Sequence, residues 1–551
     1  MLPAGGTERE GPVAPLMLRL RAAMRRPAAA AAAAGGAAAS AATGASCEAG
    51  AGSSPGCTED PATFVPTGLG SVPFWLTSKR WPASASPQTR QTAEALPAAI
   101  DVVVIGAGLS GAGAAYSLAQ RGVPTLLLDA RGVSGGASGR NGGFLGGATW
   151  LQMPVMLLKM PFQHAVQTVG LKSANLKFIR EYVSKHQVDC DLDYGVDGCS
   201  YYATEQEFKD AIGWWSKIPR ALLTPFGIHI YEGVEEMGTH INLKADAKAG
   251  PSNAWGCIRL KKDYDTICAA RFVIAVVDQC IAMGTTVFTN TAVERVERVL
   301  DKPSGPGGDG GHIVHTSKGA VRCKKVIFAT NAYTGKLCPV LADKIRPVRN
   351  HVLVTTPAPS LLKDGSRCGS GCNSGFNYWI QREDGRIVLG GFRDKEGSGD
   401  KGVDVVDDEG EDLTARAAIR SFLWETFDMG DASVEQEWTG ILAWSCDDAP
   451  WVGAVPGQEN AYVCAGFCGS GLSRAFMCGL SVGDMAAGEV PRQVVDKYVP
   501  DLSRGWSADI RAGHAVASGT TRADRVYKDE KEKQRDQGDE ARSVAGAREE
   551  T

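Results

Sequence analysis

The chain is short of the features that mark several protein classes. No uninterrupted apolar run reaches the roughly 20 residues of a membrane span, so no transmembrane segment is expected. No basic stripe dominates any segment and the net charge is only −4, which argues against a nucleic-acid partner. The fifteen cysteines include no Cys-x-x-Cys pair. Cys368/Cys372 and Cys464/Cys468 lie four apart, with no paired histidines beside them. No metal site is expected, and the thiols read as reduced and mostly buried. No nucleophile–base triad stands out either.

What the chain does have is length and glycine. Its 551 residues are enough for two or more domains around a large core, and its 67 glycines need to be located before they are interpreted. From Met17 the sequence "MLRLRAAMRRPAAAAAAAGGAAASAATGAS" holds four arginines and no acid before Glu48. That is transit-peptide composition and predicts import into a chloroplast or mitochondrion, the alternative being a cytoplasmic protein with an unaddressed leader. Glu8 and Glu10 interrupt the pattern upstream, which makes Met17 an alternative start. The Pro/Ser/Thr-rich stretch Ser53–Pro97 reads as linker, so that residues 1–98 form leader and linker together. Residues 499–551, ending "VYKDEKEKQRDQGDEARSVAGAREET", read as a disordered charged tail.

Asp101–Asp129, "DVVVIGAGLSGAGAAYSLAQRGVPTLLLD", is the most informative segment. Val102–Ile105 is a continuous apolar run, as a strand buried on both faces should be. The turn Gly106-Ala107-Gly108-Leu109-Ser110-Gly111 follows at once, then a helix to Gln120 and a second apolar strand, Val123–Leu128. Gly106 permits the tight turn, Gly108 lets backbone approach a pyrophosphate, and Gly111 lets helix pack on strand. The helix N-terminus offers N–H groups and partial positive charge to phosphate. Asp129, eighteen residues beyond Gly111 and followed by Ala130, can accept the hydroxyls of an unphosphorylated ribose. This pattern predicts a dinucleotide site without choosing between FAD and NAD.

The next residues narrow the choice. Gly132–Gly147 holds eight glycines in sixteen residues, with Arg140 and Asn141 in its middle. An NAD domain would continue into another strand–helix–strand repeat. Here small residues follow the second strand directly, as if backbone must pass against a flat ring system. The form Ser138-Gly-Arg140-Asn141-Gly142-Gly143 resembles the family of FAD-dependent amine and amino-acid oxidases that includes D-amino-acid, glycine and sarcosine oxidases. It is most similar to the branch containing gamma-glutamylputrescine oxidase. Three further segments resemble that family, in the family's order: "NTAVERVE" around Val293; "KKVIFATNAY", with Ala329, Thr330 and Asn331; and "WTGILAWSCDDAPWVGAVPG" followed by "AYVCAGFCGSGLSRAF". In the last, Gly466, Gly469, Ser470 and Gly471 precede a helix expected from about Leu472.

The resemblance, over roughly residues 99–495, implies an α/β fold. Its discontinuous Rossmann-type FAD-binding domain would take residues 99–192, 259–345 and 436–498. Residues 193–258 and 346–435 would form an α+β substrate domain built on an antiparallel sheet. Leu171, Ala174, Phe178 and Tyr182 have helical spacing. The segments "KPSGPGGDGG" and "DKEGSGDKG" read as loops. The resemblance implies that FAD contacts fall on the residues named from Gly106 to Leu472.

The chain also departs from its better-known relatives. Leu442 stands where D-amino-acid and glycine oxidases carry a carboxylate-binding arginine. Gly440 stands where sarcosine oxidases carry the cysteine that anchors their flavin, which implies non-covalent FAD. Ser470 replaces a common histidine. Tyr378, Arg393 and Arg474 are the candidates for orienting substrate, with Arg382 a further carboxylate partner. The expected reaction is oxidation of the C–N bond of a small-molecule amine or N-substituted amino acid to an imine, with O2 as acceptor. The alternatives are a dehydrogenase passing electrons to a quinone or other carrier, and a flavin-binding assembly protein without turnover.

Overall fold

The computed structural model describes residues 73–77, 89–146, 156, 160–244, 254–299, 311–372, 377–393, 404–406 and 412–505. Two sheets organise them. The first has eight strands: β1 (Ala99–Ile105), β2 (Thr125–Leu128), β7 (Thr286–Phe288), β8 (Val293–Val299), β9 (Gly311–Thr316), β10 (Gly319–Phe328), β16 (Trp451–Ala454) and β17 (Ala461–Ala465). Its main order is β16-β17-β10-β1-β2-β7, parallel except for β16, with the antiparallel β8–β9 pair attached to β10. The second has nine strands: β3 (Phe144–Gly146), β4 (Asp193–Tyr202), β5 (Ile228–Glu232), β6 (Gly256–Thr266), β11 (Ile345–Thr355), β12 (Cys368–Cys372), β13 (Asn377–Gln381), β14 (Ile387–Gly391) and β15 (Val434–Ser445). It is antiparallel apart from the β4–β12 pair. This is the α/β architecture with an added antiparallel sheet that the sequence predicts.

The apolar run in β1 serves both faces of the first sheet. Val102, Val104 and Leu127 join the core beneath the helices, whereas Val103, Ile105, Leu126 and Leu128 join the core on the opposite face. Helices α1 (Leu109–Ala119), α3 (Ala269–Ala282) and α4 (Ala475–Ala486) pack over the first of these. The expected amphipathic helix, α2 (Phe162–His186), buries Leu171 and Tyr182 and half-buries Ala174 and Phe178.

Helix α4 starts at Ala475, three residues later than expected, because Gly471 to Arg474 form turns. Its contact with α1 is made by small residues. A Cβ on Gly479 would overlap Ser110 O, one on Gly483 would sit 2.6 Å from Ala114 O, and one on Gly113 would sit 2.5 Å from Phe476 O. The fully buried Asp484 closes this contact, accepting from Ser117 Oγ at 2.6 Å and pairing with Arg121 and Arg492.

Three sequence expectations need correction. Within the supposed linker, Phe74 and Trp75 are core residues at 3% and 2% exposure, and Gln91 bridges to Phe288. Composition hides this because a few apolar side chains, Phe74 and Trp75 foremost, are buried within a mostly polar stretch. The supposed tail stays packed at its start: Arg504 pairs with Asp447 and lies 4.2 Å from the centroid of the Trp451 ring. Strands β6 and β15 run across the expected domain boundaries at 258/259 and 435/436, and each stays paired within the second sheet along its whole length. The transit-peptide segment, the expected loop 394–402, the expected loop 302–311 except Gly311, which starts β9, and the tail from 506 onward lie outside the described residues.

Close helix packing gives a direct test. Gly479→Ala should destabilise the fold by about 1–3 kcal/mol, because the added methyl forces α1 and α4 apart. Chemical denaturation measures it, and wild-type stability would contradict the packing described.

Candidate active site

The β1–α1 turn brings backbone against backbone. Gly106 has φ +106°, and a Cβ there would lie 2.6 Å from Ala329 O at the end of the neighbouring strand β10. A Cβ on Gly111 would overlap Gly106 O. Gly108 is different: its Cβ would meet only the Ser138 hydroxyl, 2.9 Å away, so its missing side chain leaves room on the cavity side. Asp129 ends β2 and ties the turn together, accepting from Ala107 N at 2.6 Å and Arg131 N at 2.8 Å. Burial pushes its carboxyl above the usual range, against the pull of those two donors and of Arg131.

The glycine-rich segment after β2 is a braced strap. Ser138 Oγ accepts from Leu109 N at 2.9 Å, and Ser134 N donates to Ala107 O at 3.0 Å, so the strap grips the α1 N-terminus. Arg140 donates to Thr439 O of β15 at 2.6 Å, linking the strap to the second sheet. The Asn141 side chain donates to Ser138 O at 2.6 Å and accepts from Gly143 N at 2.8 Å. Both side chains were expected to contact a cofactor; in the structure they brace the strap, and both residues also line the cavity beside it.

That cavity, about 330 Å³, has walls from both sheets. Gly106, Gly108, Leu109, Ser110, Asp129, Ala130 and Ser138 form one part, with Val293, Ala329, Thr330 and Asn331 beside them. Gly142, Gly469, Gly471 and Leu472 line it farther along. Asn331 adopts φ +47° and accepts from Gly466 N at 3.1 Å, joining the β10 turn to the C-terminal loop. Ala107, Gly111, Gly143, Gly466 and Ser470 are not among the lining residues, and Ser470 is exposed between the lining Gly469 and Gly471.

The second sheet supplies the remaining wall through Phe144, Asn350, Val352, Tyr378, Gly440 and Leu442. Register places them together: Asn350 is opposite Gly440 and Tyr378 is opposite Gly390, with Gly390 leaving room for the Tyr378 ring and Gly440 for Arg140. Asn350 Nδ2 donates to the Tyr378 hydroxyl at 3.1 Å. Burial pushes the Tyr378 phenol up, so it is a neutral donor at ordinary pH, although Asn350 and the charge of Arg393 act the other way.

The candidate arginines sit farther back. Arg393 is buried behind Asn350, 3.5 Å from Asn350 Oδ1 and 4.9 Å from the Trp444 ring centroid. Arg474 holds the C-terminal loop from behind, donating to Phe467 O and Tyr498 Oη at 2.7 Å each. Arg382 is far from the cavity wall, paired with Asp191 and Asp384. Sequence reasoning missed Asn350, Lys336 and Cys468, all cavity-lining. Lys336 and Cys468 stand inside or beside segments already singled out, but Asn350 has no signal except its place on an alternating strand. The described cysteines are free thiols, all buried except the half-buried Cys468.

With this geometry in place, comparison with known proteins is decisive. The sequence matches the FAD dependent oxidoreductase family, DAO, over residues 101–485. The chain belongs to that family. It is 24% identical over 402 residues to gamma-glutamylputrescine oxidoreductase of Escherichia coli K12, covering 71% of this chain and 84% of that one. It is 23% identical over 392 residues to glycine oxidase of Geobacillus kaustophilus, covering 70% and 92%. Among solved structures, L-amino acid deaminase from Proteus vulgaris superposes with a TM-score of 0.56 at 18% identity, covering 76% of this chain and all (100%) of that chain. Glycine oxidase from Geobacillus kaustophilus superposes with 0.54 at 16%, covering 73% and 98%. The chain is therefore an FAD-dependent oxidoreductase of the amine and amino-acid oxidase type.

The residues present fit FAD. The cradle at Gly108 is one that a side chain would fill, and the cavity continues from it to the second sheet. Gly108→Val should abolish FAD retention, because the added side chain meets the Ser138 hydroxyl at the edge of the cradle; circular dichroism checks in parallel that the variant is folded. The ratio of visible to ultraviolet absorbance after purification measures this, and a fully yellow variant would move the dinucleotide elsewhere.

Proposed function

We propose that this protein oxidises the C–N bond of an amine or N-substituted amino acid to an imine, with O2 as the acceptor. One observation carries the reading: a dinucleotide cradle opens onto a wall that the second sheet makes of an aromatic hydroxyl, an amide and apolar side chains. Bound FAD supplies the acceptor for a hydride equivalent from the carbon bearing nitrogen. The protein's own task is then orientation and exclusion of water. The turn and strap residues that line the cavity from Gly106 to Leu472 would hold FAD.

Tyr378 is placed to donate its hydroxyl proton to a substrate acceptor. Asn350 already occupies one lone pair of that oxygen, which leaves the proton free to point into the cavity. Leu442 lines the cavity where relatives hold an arginine, so a simple α-amino acid lacks its usual anchor. Arg393 supports the wall electrostatically from behind Asn350. The substrate must bind as the neutral amine, since a protonated nitrogen has no lone pair to release toward the departing hydride.

FAD is held non-covalently in this reading. Gly440 has no side chain to offer, and the Cys468 thiol is pushed up to about 11 by burial and by Asp448, so it stays protonated. Its sulfur also accepts from Ser445 N at 3.4 Å. Acid precipitation should leave all the flavin in the supernatant; yellow pellet would mean a covalent bond. We also infer that the arginine-rich, acid-poor leader directs import into an organelle, which a fluorescent fusion of residues 1–60 would test.

Anaerobic addition of substrate amines should bleach the yellow protein, and air should restore colour with release of peroxide. Bleaching without peroxide would favour an electron carrier over O2, and no bleaching across a broad panel would overturn catalysis. Tyr378→Phe should lower kcat/KM about tenfold, the worth of one substrate hydrogen bond. An unchanged value would remove Tyr378 from substrate binding.

A further inference from the structure

Two tryptophans grip consecutive peptide units of the strap. Trp438, on β15, donates its indole N–H to Arg140 O at 3.0 Å. Trp75, from the short Phe74–Leu76 turn, donates to Asn141 O at 2.6 Å. The described residues contain no cis peptide bonds, and in a trans unit the carbonyl and the following N–H point in opposite directions. With both carbonyls turned onto indoles, the N–H groups of Asn141 and Gly142 are turned the other way. Asn141 and Gly142 line the cavity, and neither N–H has a protein acceptor among the described residues.

The Phe74–Leu76 turn is built for this contact. Trp75 packs on Gly143, whose Cβ would come within 3.1 Å of the indole, and Leu76 would come within 3.1 Å of a Cβ on Gly139. The Arg382 guanidinium lies 5.7 Å from the Phe74 ring centroid and 5.1 Å from that of Trp75. Its two aspartates anchor it there, which explains a buried arginine that faces no substrate. The turn lies upstream of the family match, which begins at residue 101.

We propose that Trp75 is a positioning residue for FAD: an N-terminal latch that, with Trp438, aims two backbone N–H donors at acceptor atoms of the cofactor. The proposal rests on FAD occupying the cavity. It extends the working site to a segment outside the family-matched region.

The test uses the full chain carrying Trp75→Phe, which keeps an aromatic ring in the apolar cluster but removes the indole N–H together with the fused ring that packs on Gly143. Apoprotein titrated with FAD, followed by quenching of flavin fluorescence, should show a Kd raised about tenfold, with a shifted visible flavin spectrum. An unchanged Kd and spectrum would overturn the latch. Gly108→Val tests the cavity itself, so the two failures are distinguishable. A second measurement needs no variant. Amide hydrogen exchange in the wild-type peptide spanning residues 138–144 should slow on FAD binding, and unchanged exchange would equally overturn the proposal.

Discussion

The structure depends on how closely one stretch of backbone can approach another. At the end of β1 the chain must turn from strand to helix with Gly106 against the Ala329 carbonyl and Gly111 against Gly106 itself. A methyl group at either place would push α1 away from the first sheet. Helix α1 has no freedom to move, since Gly479 and Gly483 seat α4 against its other side. The dinucleotide cradle is thus the visible end of a column of side-chain-free contacts running through α1 into the C-terminal helix.

The second constraint is that the two sheets must meet around one cavity. The strap after β2 does this with backbone and three polar side chains. Ser138 holds the helix end, Arg140 reaches Thr439 on the second sheet, and Asn141 closes the turn on itself. Buried polar groups are costly unless paired, so their pairing also fixes where the strap runs. Buried arginines repeat the theme at a larger scale. Arg393 and Arg474 each brace a piece of the wall from behind, and Arg382 holds the Phe74–Leu76 turn.

Local patterns made the nucleotide-binding unit legible. The strand, turn, helix and terminal acid of residues 101–129 are contiguous, and each residue type has a single physical reason to be there. The strap's closeness to the cavity could be read from its small residues, but not the direction of its polar side chains. Arg140 and Asn141 look like ligand donors in sequence; the distant Thr439 carbonyl takes the Arg140 guanidinium, and the turn's own backbone takes the Asn141 amide. The substrate wall was harder still. Asn350, Tyr378 and Leu442 come from three strands of the second sheet, and strand pairing alone makes them neighbours. The N-terminal turn was illegible because two aromatic residues cannot outweigh the composition around them.

That turn bears on how the N-terminus can be trimmed. Phe74 and Trp75 share an apolar cluster with Val352, Ile380 and Trp438, so the interior of the folded protein begins well before its first strand. Any protease that matures this chain must cut upstream of Pro73. A cut even a few residues later would leave a hole in the second sheet's core and strip the strap of a carbonyl's partner. The limit of processing is therefore set by packing, and a mature N-terminus mapped beyond that point would belong to a damaged molecule.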